Sequence, residues 1–243
     1  MKTSKQLIEL AEINRKAAKE LGGFLALSAL MREEKTIERI DAPGKSFSGQ
    51  ERDTLVTRLA EIARNGFGTE ITMEDVENHV MKVDTLYLIR QEKKIIGFSS
   101  YDVLQLGEAF ILYLSGIVVE REFQKHGFFN MVNKLALSSG NFDFLAMRTQ
   151  NPVIYAATEK LVKELYPNKE STPESIRQLS SIIAKEYLNM ERFCEETMVG
   201  KATYGTCLYD KVQRHPRADD FFDNALKLDY NAGDSVLLLG GLK

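Results

Sequence analysis

Residues 112–133 read LYLSGIVVEREFQKHGFFNMVN, and this stretch decides the fold class. Its apolar run belongs to a strand that we predict from about Ala109 to Val119, because a strand buried on both faces is apolar at nearly every position. A polar loop follows, and apolar residues return at helical spacing after Gly127. A strand that passes through a glycine turn into a helix indicates an α/β domain in which helices cover a sheet.

Shorter strands precede the central one. We predict them at 36–41, 86–90 and 95–101, with a polar turn at 91–94. Two helices are expected between the first and second of these strands. One begins at a capping box formed by Ser48 and Glu51, and the other begins at a similar signal formed by Thr72 and Asp75.

Further elements are expected after the glycine turn. A strand at 142–148 is followed by a helix that Asn151 caps and Pro152 opens, with a buried stripe of Ile154, Leu161 and Leu165. Another helix follows residues 172–174, and late strands are predicted at 203–209 and 235–239. No repeat or proline-rich linker divides the sequence, so we predict one domain over residues 1–243. Its parts are a helical extension at 1–32, a core at 33–166, a helical insertion at 167–202 and C-terminal strands at 203–243.

The composition excludes several classes of protein. The net charge of −3 argues against a nucleic-acid binder that works by bulk charge. The two cysteines and three scattered histidines match no paired metal spacing, so no metal site is predicted. The longest apolar stretch, residues 24–31, is too short to span a bilayer, and the N-terminus has no signal-peptide pattern. A soluble cytoplasmic protein is therefore expected, with no membrane partner.

The glycine turn is the leading candidate for a binding site. A helix N-terminus presents free backbone N–H groups, which suit the phosphates of a nucleotide-like ligand. Gly127 would let the backbone approach the anion, and Lys125 would add positive charge. An ordinary strand-to-helix connection remains the alternative. The sequence Gly44-Lys45-Ser46 is interpreted as a surface loop, because a P-loop would need glycine at position 39, which is arginine.

Three short motifs occur in order within residues 72–162. Ile95-Ile96-Gly97-Phe98 ends a strand, the segment 119–129 reads VEREFQKHGFF, and the segment 151–163 reads NPVIYAATEKLVK. Together they resemble the GNAT superfamily of N-acetyltransferases, whose members carry an I-[IV]-G-F phrase, then V-x-P-E-[YF]-[RQ]-x-x-G-x-[GA], then N-x-x-A-x-x-[LF]-Y-E-K. The anchor residues of the second motif correspond to Gln124 and Gly127.

The resemblance implies a mixed α/β (α+β) fold with a mostly antiparallel central sheet flanked by helices. It also implies acetyl-coenzyme A as the cofactor. The pantetheine arm would add to the backbone of the central strand, and the pyrophosphate would bind the turn and the following helix. The residues expected to bind the cofactor are Ile117, Val118, Val119, Gln124, Lys125, His126, Gly127, Phe128, Phe129, Asn151 and Thr158.

Two positions depart from the family pattern. Phe129 replaces a small residue, and it either crowds the phosphates or points into the core. Thr158 replaces the tyrosine that protonates the departing thiolate, and Tyr155 lies one helical turn earlier on nearly the same face. Tyr155 is therefore either a substitute acid or an ordinary half-buried aromatic. Glu108 is either the base that deprotonates the incoming amine or a solvated carboxylate at a strand end.

These expectations together predict an N-acyltransferase, most simply an acetyl-coenzyme A-dependent N-acetyltransferase that works by direct attack of an amine on the thioester. The alternative is a GNAT-fold module that binds coenzyme A or a protein partner with little catalysis, which the residues at 129 and 158 favour. The acceptor is expected to be a small-molecule amine or a protein amine, with the small molecule preferred because no acidic or basic tract offers a docking surface. A homodimer stays open.

Overall fold

The structure is a computed structural model that describes residues 35–242, so the predicted helical extension at residues 1–32 lies outside the described residues. Nine strands are found in the described range: β1 (Lys35–Asp41), β2 (Thr85–Gln91), β3 (Lys94–Leu106), β4 (Ala109–Val119), β5 (Phe144–Thr149), β6 (Glu164–Tyr166), β7 (Phe193–Cys194), β8 (Val199–Gly200) and β9 (Ser235–Gly241). The helices are α1 (Pro43–Ser46), α2 (Gly49–Phe67), α3 (Met73–Met81), α4 (Phe128–Leu137), α5 (Pro152–Thr158) and α6 (Glu174–Ile182). A π-helical turn, Ile183–Tyr187, continues α6, and another covers Phe221–Ala225.

The predicted fold class is confirmed. The strands form a mixed sheet flanked by helices, in which β4 and β5 run parallel. The β1–β2, β5–β9, β6–β9, β7–β8 and β8–β9 pairings are antiparallel. The chain divides into two compact units, and both β3 and β4 contribute residues to each of them. None of the helices within residues 35–242 has the length and apolar character that a membrane span requires.

The first unit contains the described residues 35–66, 71–100 and 116–141. Its longest helix is α2, which forms because an apolar stripe recurs at helical spacing and a capping box closes its first turn. The Ser48 backbone N–H donates to Glu51 Oε2 at 3.0 Å, while Leu59 and Ile62 are fully buried. Helix α3 begins as predicted, since the Asp75 backbone N–H donates to Thr72 Oγ1 at 3.0 Å.

The second unit contains residues 67–70, 101–115 and the described residues from 142 onward. Its sheet is organised around β9, which pairs with β5 on one edge and with β6 and β8 on the other. This explains why residues 236–239 are completely buried. Helix α6 and its π-turn place Ile176 and Ile183 against the sheet residues Ile111 and Leu237. The predicted helical insertion therefore forms part of the core of this unit.

Two predicted elements are wrong. The helix opened by Pro152 ends at Thr158, because the chain then turns into β6, where Leu165 pairs with Gly240 of β9. The predicted strand at 203–209 is a loop. Its polar groups bond to other loop and strand-end atoms rather than to a ladder: the Tyr204 N–H donates to Gly233 O at 3.0 Å, and the Leu208 N–H donates to Gln150 Oε1 at 3.0 Å.

Candidate functional site

The turn between β4 and α4 belongs to the first unit and has the form expected of an anion site. Lys125 and Gly127 both adopt left-handed backbone angles, with φ values of 67° and 81°. Gly127 is the N-cap of α4, and its carbonyl accepts the Met131 N–H at 3.1 Å. Among residues 35–242, no side chain caps this helix end. The first N–H groups of α4 therefore have no capping acceptor, and the helix dipole favours a negative charge there.

The surface in front of this turn is open. Lys125, His126 and Gly127 are exposed, and a Cβ atom added at Gly127 would meet no atom within 4 Å. Phe128 is buried and Phe129 is half-buried, so the two aromatic rings following the glycine face at least partly inward. The turn thus combines exposed N–H groups with space for a ligand.

The Gln124 side chain stabilises the turn through hydrogen bonds to the protein backbone. Its side-chain amide donates to Val119 O at 3.1 Å and to Gly66 O at 3.2 Å, which ties the turn to the ends of β4 and α2. A second tie comes from Arg121, whose backbone N–H donates to Asn65 Oδ1 at 2.8 Å. The Gln124 side chain is therefore engaged with the protein backbone at the base of the loop.

The last residues of β4 leave one backbone edge without a strand partner in the described chain. The β4–β5 ladder ends at the Leu114–Met147 pair. On the other edge the Glu120 N–H donates to Ile96 O of β3 at 2.9 Å. Because backbone groups alternate along a strand, Val118 also faces β3, and Ile117 faces the opposite edge. A pantetheine arm adding to β4 would therefore meet Ile117 rather than Val118.

Glu120 directly follows β4 and is buried, although it lies in a polar stretch of the sequence. It is 7% exposed and forms ion pairs with Arg58 and with Lys94, the latter at 2.8 Å. Burial on its own raises the pKa of this carboxyl, but the hydrogen bonds from Lys94 and Arg58 outweigh burial and hold the pKa below its usual range. These ion pairs hold Glu120, the first residue after β4, in position and so help to fix the start of the turn.

Asn151 lies in the second unit and performs the capping role that the sequence predicts. Its Oδ1 accepts the Val153 N–H at 2.9 Å at the start of α5. Its own N–H donates to Thr149 Oγ1 at 2.9 Å. The residue is 7% exposed, and it also hydrogen-bonds the side chain of Tyr209.

The two hydroxyl groups proposed near the sulfur are both engaged inside the second unit. The Tyr155 hydroxyl donates to Pro167 O at 3.1 Å, and its ring packs against Phe221 and Phe222. Burial raises the pKa of Tyr155 to about 12, with a smaller contribution from the charge of Glu159. Thr158 is fully buried, and its hydroxyl donates to Ile154 O at 2.8 Å.

Glu108, the candidate base, lies in the two-residue turn between β3 and β4 and is exposed. It precedes Ile117 by nine residues on the same chain segment. Its surroundings are those of a solvated carboxylate, and its catalytic role stays a prediction.

An open cavity of about 610 Å³ in the second unit was not anticipated from the sequence. Acidic and aromatic side chains line it, among them Tyr209, Asp210, Asp223, Asp229 and Tyr230. A nearby group of charged and aromatic residues, centred on Arg148 and Tyr204, was missed as well. Neither belongs to a motif, and the alternation of side chains along β5 was the sole sequence signal available for Arg148.

Comparisons with known proteins give structural neighbours alone. No protein-family model matches the chain, and no curated protein matches it by sequence. Solved structures similar to it include the ribosomal-protein-S18-alanine N-acetyltransferase of Escherichia coli, with 14% identity, 58% of this chain and 86% of that chain covered, and a TM-score of 0.40. Another is a GNAT family acetyltransferase from Elizabethkingia anophelis with acetyl-CoA bound, with 12% identity, 86% and 98% covered, and a TM-score of 0.40. A third is Arabidopsis thaliana NAA60 in complex with acetyl-CoA, with 15% identity, 51% and 84% covered, and a TM-score of 0.37.

Of these three, the Elizabethkingia anophelis structure is described as a GNAT family acetyltransferase and the Escherichia coli structure as an N-acetyltransferase.

Proposed function

We propose that the protein is an acyltransferase that uses acetyl-coenzyme A and transfers the acetyl group to an amine. The observation that carries this proposal is the turn from β4 into α4, where two left-handed residues present an uncapped helix N-terminus to open space. Such a turn suits a pyrophosphate group, because several N–H groups converge on one anion. The motif resemblance adds the specific cofactor.

The residues present fit this cofactor. The first N–H groups of α4 and the Lys125 side chain would bind the pyrophosphate, and the Ile117 backbone would bind the pantetheine amides as an added strand does. The Gln124 side chain maintains the conformation of the turn through its hydrogen bonds to the carbonyl oxygens of Val119 and Gly66. Acetyl-coenzyme A, when bound, supplies an activated thioester carbonyl.

The chain's own contribution to the reaction is positioning and proton transfer. An attacking amine must be neutral, so a base has to accept its proton, and we propose Glu108 for this role. A departing thiolate needs a proton, and we retain Tyr155 as the acid proposed from the sequence. Its raised pKa makes it a weaker acid than free tyrosine, and its bond to Pro167 occupies its proton.

A second candidate function follows from that observation. With Tyr155 and Thr158 both engaged in internal hydrogen bonds, the position that carries the acid in the GNAT pattern offers no free hydroxyl. This favours a module that binds coenzyme A and transfers acetyl groups slowly or not at all.

A thermal melt and a turnover assay separate the two functions. Acetyl-coenzyme A at a hundred times its Kd should stabilise the fold by about 2.7 kcal/mol. Release of free thiol in the presence of a panel of amines would support the acyltransferase. A melting shift without thiol release on any amine would support the binding module. No shift at millimolar acetyl-coenzyme A would refute both.

A further inference from the structure

A charged and aromatic cluster in the second unit lies outside the site already described. Its members, together named the arginine–tyrosine cluster, are Asp102, Tyr113, Ser115, Arg148, Tyr187 and Tyr204. The β4–β5 register pairs Tyr113 with Ala146 and Leu114 with Met147. Since side chains alternate, Tyr113, Ser115 and Arg148 share one face of the sheet.

Arg148 is the unusual member of this cluster. Its guanidinium lies over the Tyr204 ring, 4.3 Å from the centroid. Its Nε atom is buried and has no hydrogen-bond partner in the described part of the chain. Among those same residues it forms no ion pair with a carboxylate. The stacking with Tyr204 orients the guanidinium but does not neutralise its charge.

Two other partly buried arginines have carboxylate partners, whereas Arg64 donates to the backbone carbonyl of Ile71. Arg58 pairs with Glu120, and Arg90 Nε lies 2.9 Å from Glu38 Oε2. Removing a polar group from water without a partner is destabilising, so the unpartnered Nε–H of Arg148 favours an anionic acceptor from another source. A planar guanidinium is also the side chain best suited to hold a carboxylate with two parallel hydrogen bonds.

The cluster also contains a carboxylate, that of Asp102. Asp102 accepts hydrogen bonds from Ser115 and from the hydroxyl of Tyr187, whose side chain is 38% exposed. The Tyr187 ring meets the Tyr113 ring edge-on, with centroids 5.2 Å apart. Burial raises the pKa of Tyr113, while Arg148 lowers it and Asp102 raises it, so both charges act on this one hydroxyl. The cluster therefore contains both a cation and an anion that act on Tyr113.

We propose that Arg148 binds an anionic group of the acceptor, and that the acceptor is an amine which also carries a carboxylate, as a free amino acid does. This inference rests on the proposed acyltransferase function and names its substrate class.

The experiment compares matched acceptors in the full-length protein with acetyl-coenzyme A. Glycine, L-phenylalanine and L-glutamate are each tested beside the corresponding α-amide, and kcat/KM is measured for every compound. Arg148→Met should lower the acid-to-amide ratio of kcat/KM about tenfold or more, because a charge-assisted hydrogen bond is lost. Wild type and variant receive the same compounds, so differences in intrinsic amine reactivity cancel. Arg148→Lys, which keeps the charge, should restore part of the ratio.

Arg177→Met is the matched control. The Nε atom of Arg177 is also buried without a hydrogen-bond partner among the described residues, but its guanidinium pairs with Glu174. This variant should leave the acid-to-amide ratio unchanged. A ratio in Arg148→Met equal to the wild-type ratio would overturn the inference.

Direct binding keeps the inference separate from the proposed function. Isothermal titration of the same amino acids and amides should show the acid preference in the wild type and its loss in Arg148→Met, even if no acetyl group is transferred. Equal affinity of wild type and Arg148→Met for the acids would refute the role of Arg148. If amines were acetylated with equal kcat/KM for the acids and the amides, the proposed acyltransferase activity would be supported and the proposed substrate class would be refuted.

Discussion

Replacing Gly127 with valine tests the proposed cofactor site at the N-cap of α4. The residue has φ 81° and ψ 7°, a left-handed conformation that costs a side-chain-bearing residue roughly 1–2 kcal/mol, and more when the side chain is β-branched. A Cβ atom at this position meets none of the described residues within 4 Å, so we expect no cost from overlap of the Cβ atom with them. We therefore expect the free energy of unfolding to fall by about 2 kcal/mol, with the fold retained.

The effect on cofactor binding should be larger than this strain suggests. The new side chain would occupy the space in front of the N–H groups of α4, and losing one hydrogen bond to a charged phosphate costs about 1.5–3 kcal/mol. The Kd for coenzyme A should therefore rise at least tenfold. Isothermal titration gives the Kd, and urea denaturation gives the stability.

Gly107 provides a matched control for Gly127. It has φ 60°, a Cβ added to it would also meet nothing within 4 Å, and it lies in the β3–β4 turn. Gly107→Val should cost a similar stability and leave the affinity for coenzyme A unchanged. Equal affinities in Gly127→Val and Gly107→Val would show that the cofactor does not bind at the turn before α4.

Two further substitutions test individual hydrogen bonds. Tyr155→Phe removes the bond to Pro167 O and should lower the free energy of unfolding by about 1–2 kcal/mol in urea. As loss of the proposed acid it should also lower kcat about a hundredfold, and a kcat within threefold of wild type would remove Tyr155 from that role. Glu120→Gln should destabilise the fold by about 1–3 kcal/mol at pH 7, because two cations lose their partner. The pKa of Glu120 is lowered in the folded state, so this stabilisation is complete above the usual carboxyl pKa near 4.3 and disappears as the pH falls through the lower folded value. Urea melts from pH 7 to pH 3 should show the difference between wild type and variant shrinking below about pH 4, and a constant difference would contradict the assignment.

Local signals in the sequence were sufficient for most of the fold. The run from Ala109 to Val119 predicted the central strand with its correct ends, since nearly all of its residues are apolar and polar residues flank it. The caps at Thr72 and Asn151 were also correct, because a side chain and a backbone N–H two or three residues away decide them. The segment 203–209 failed for the opposite reason. Its conformation depends on contacts with Gly233 and Gln150, which lie far away in the sequence.

The same division applies to the candidate site. The turn at Gly127 could be recognised because its chemistry resides in consecutive backbone groups. The environment of Tyr155 could not, since the carbonyl of Pro167 and the ring of Phe222 reach it through tertiary packing. Arg148 illustrates the limit further: what distinguishes it is a missing partner, and a missing partner has no sequence pattern.

The position of β9 between β5 and its other partners has a consequence for synthesis on the ribosome. About 85 residues separate the end of β5 at Thr149 from the start of β9 at Ser235. At usual elongation rates this interval lasts roughly 4–17 s. During that time β9 has not yet paired with one edge of β5. The apolar residues Leu145 and Met147 of β5 are therefore not yet fully buried. The nascent second unit therefore passes through a state with an open, apolar sheet edge, which is the kind of surface that chaperones bind.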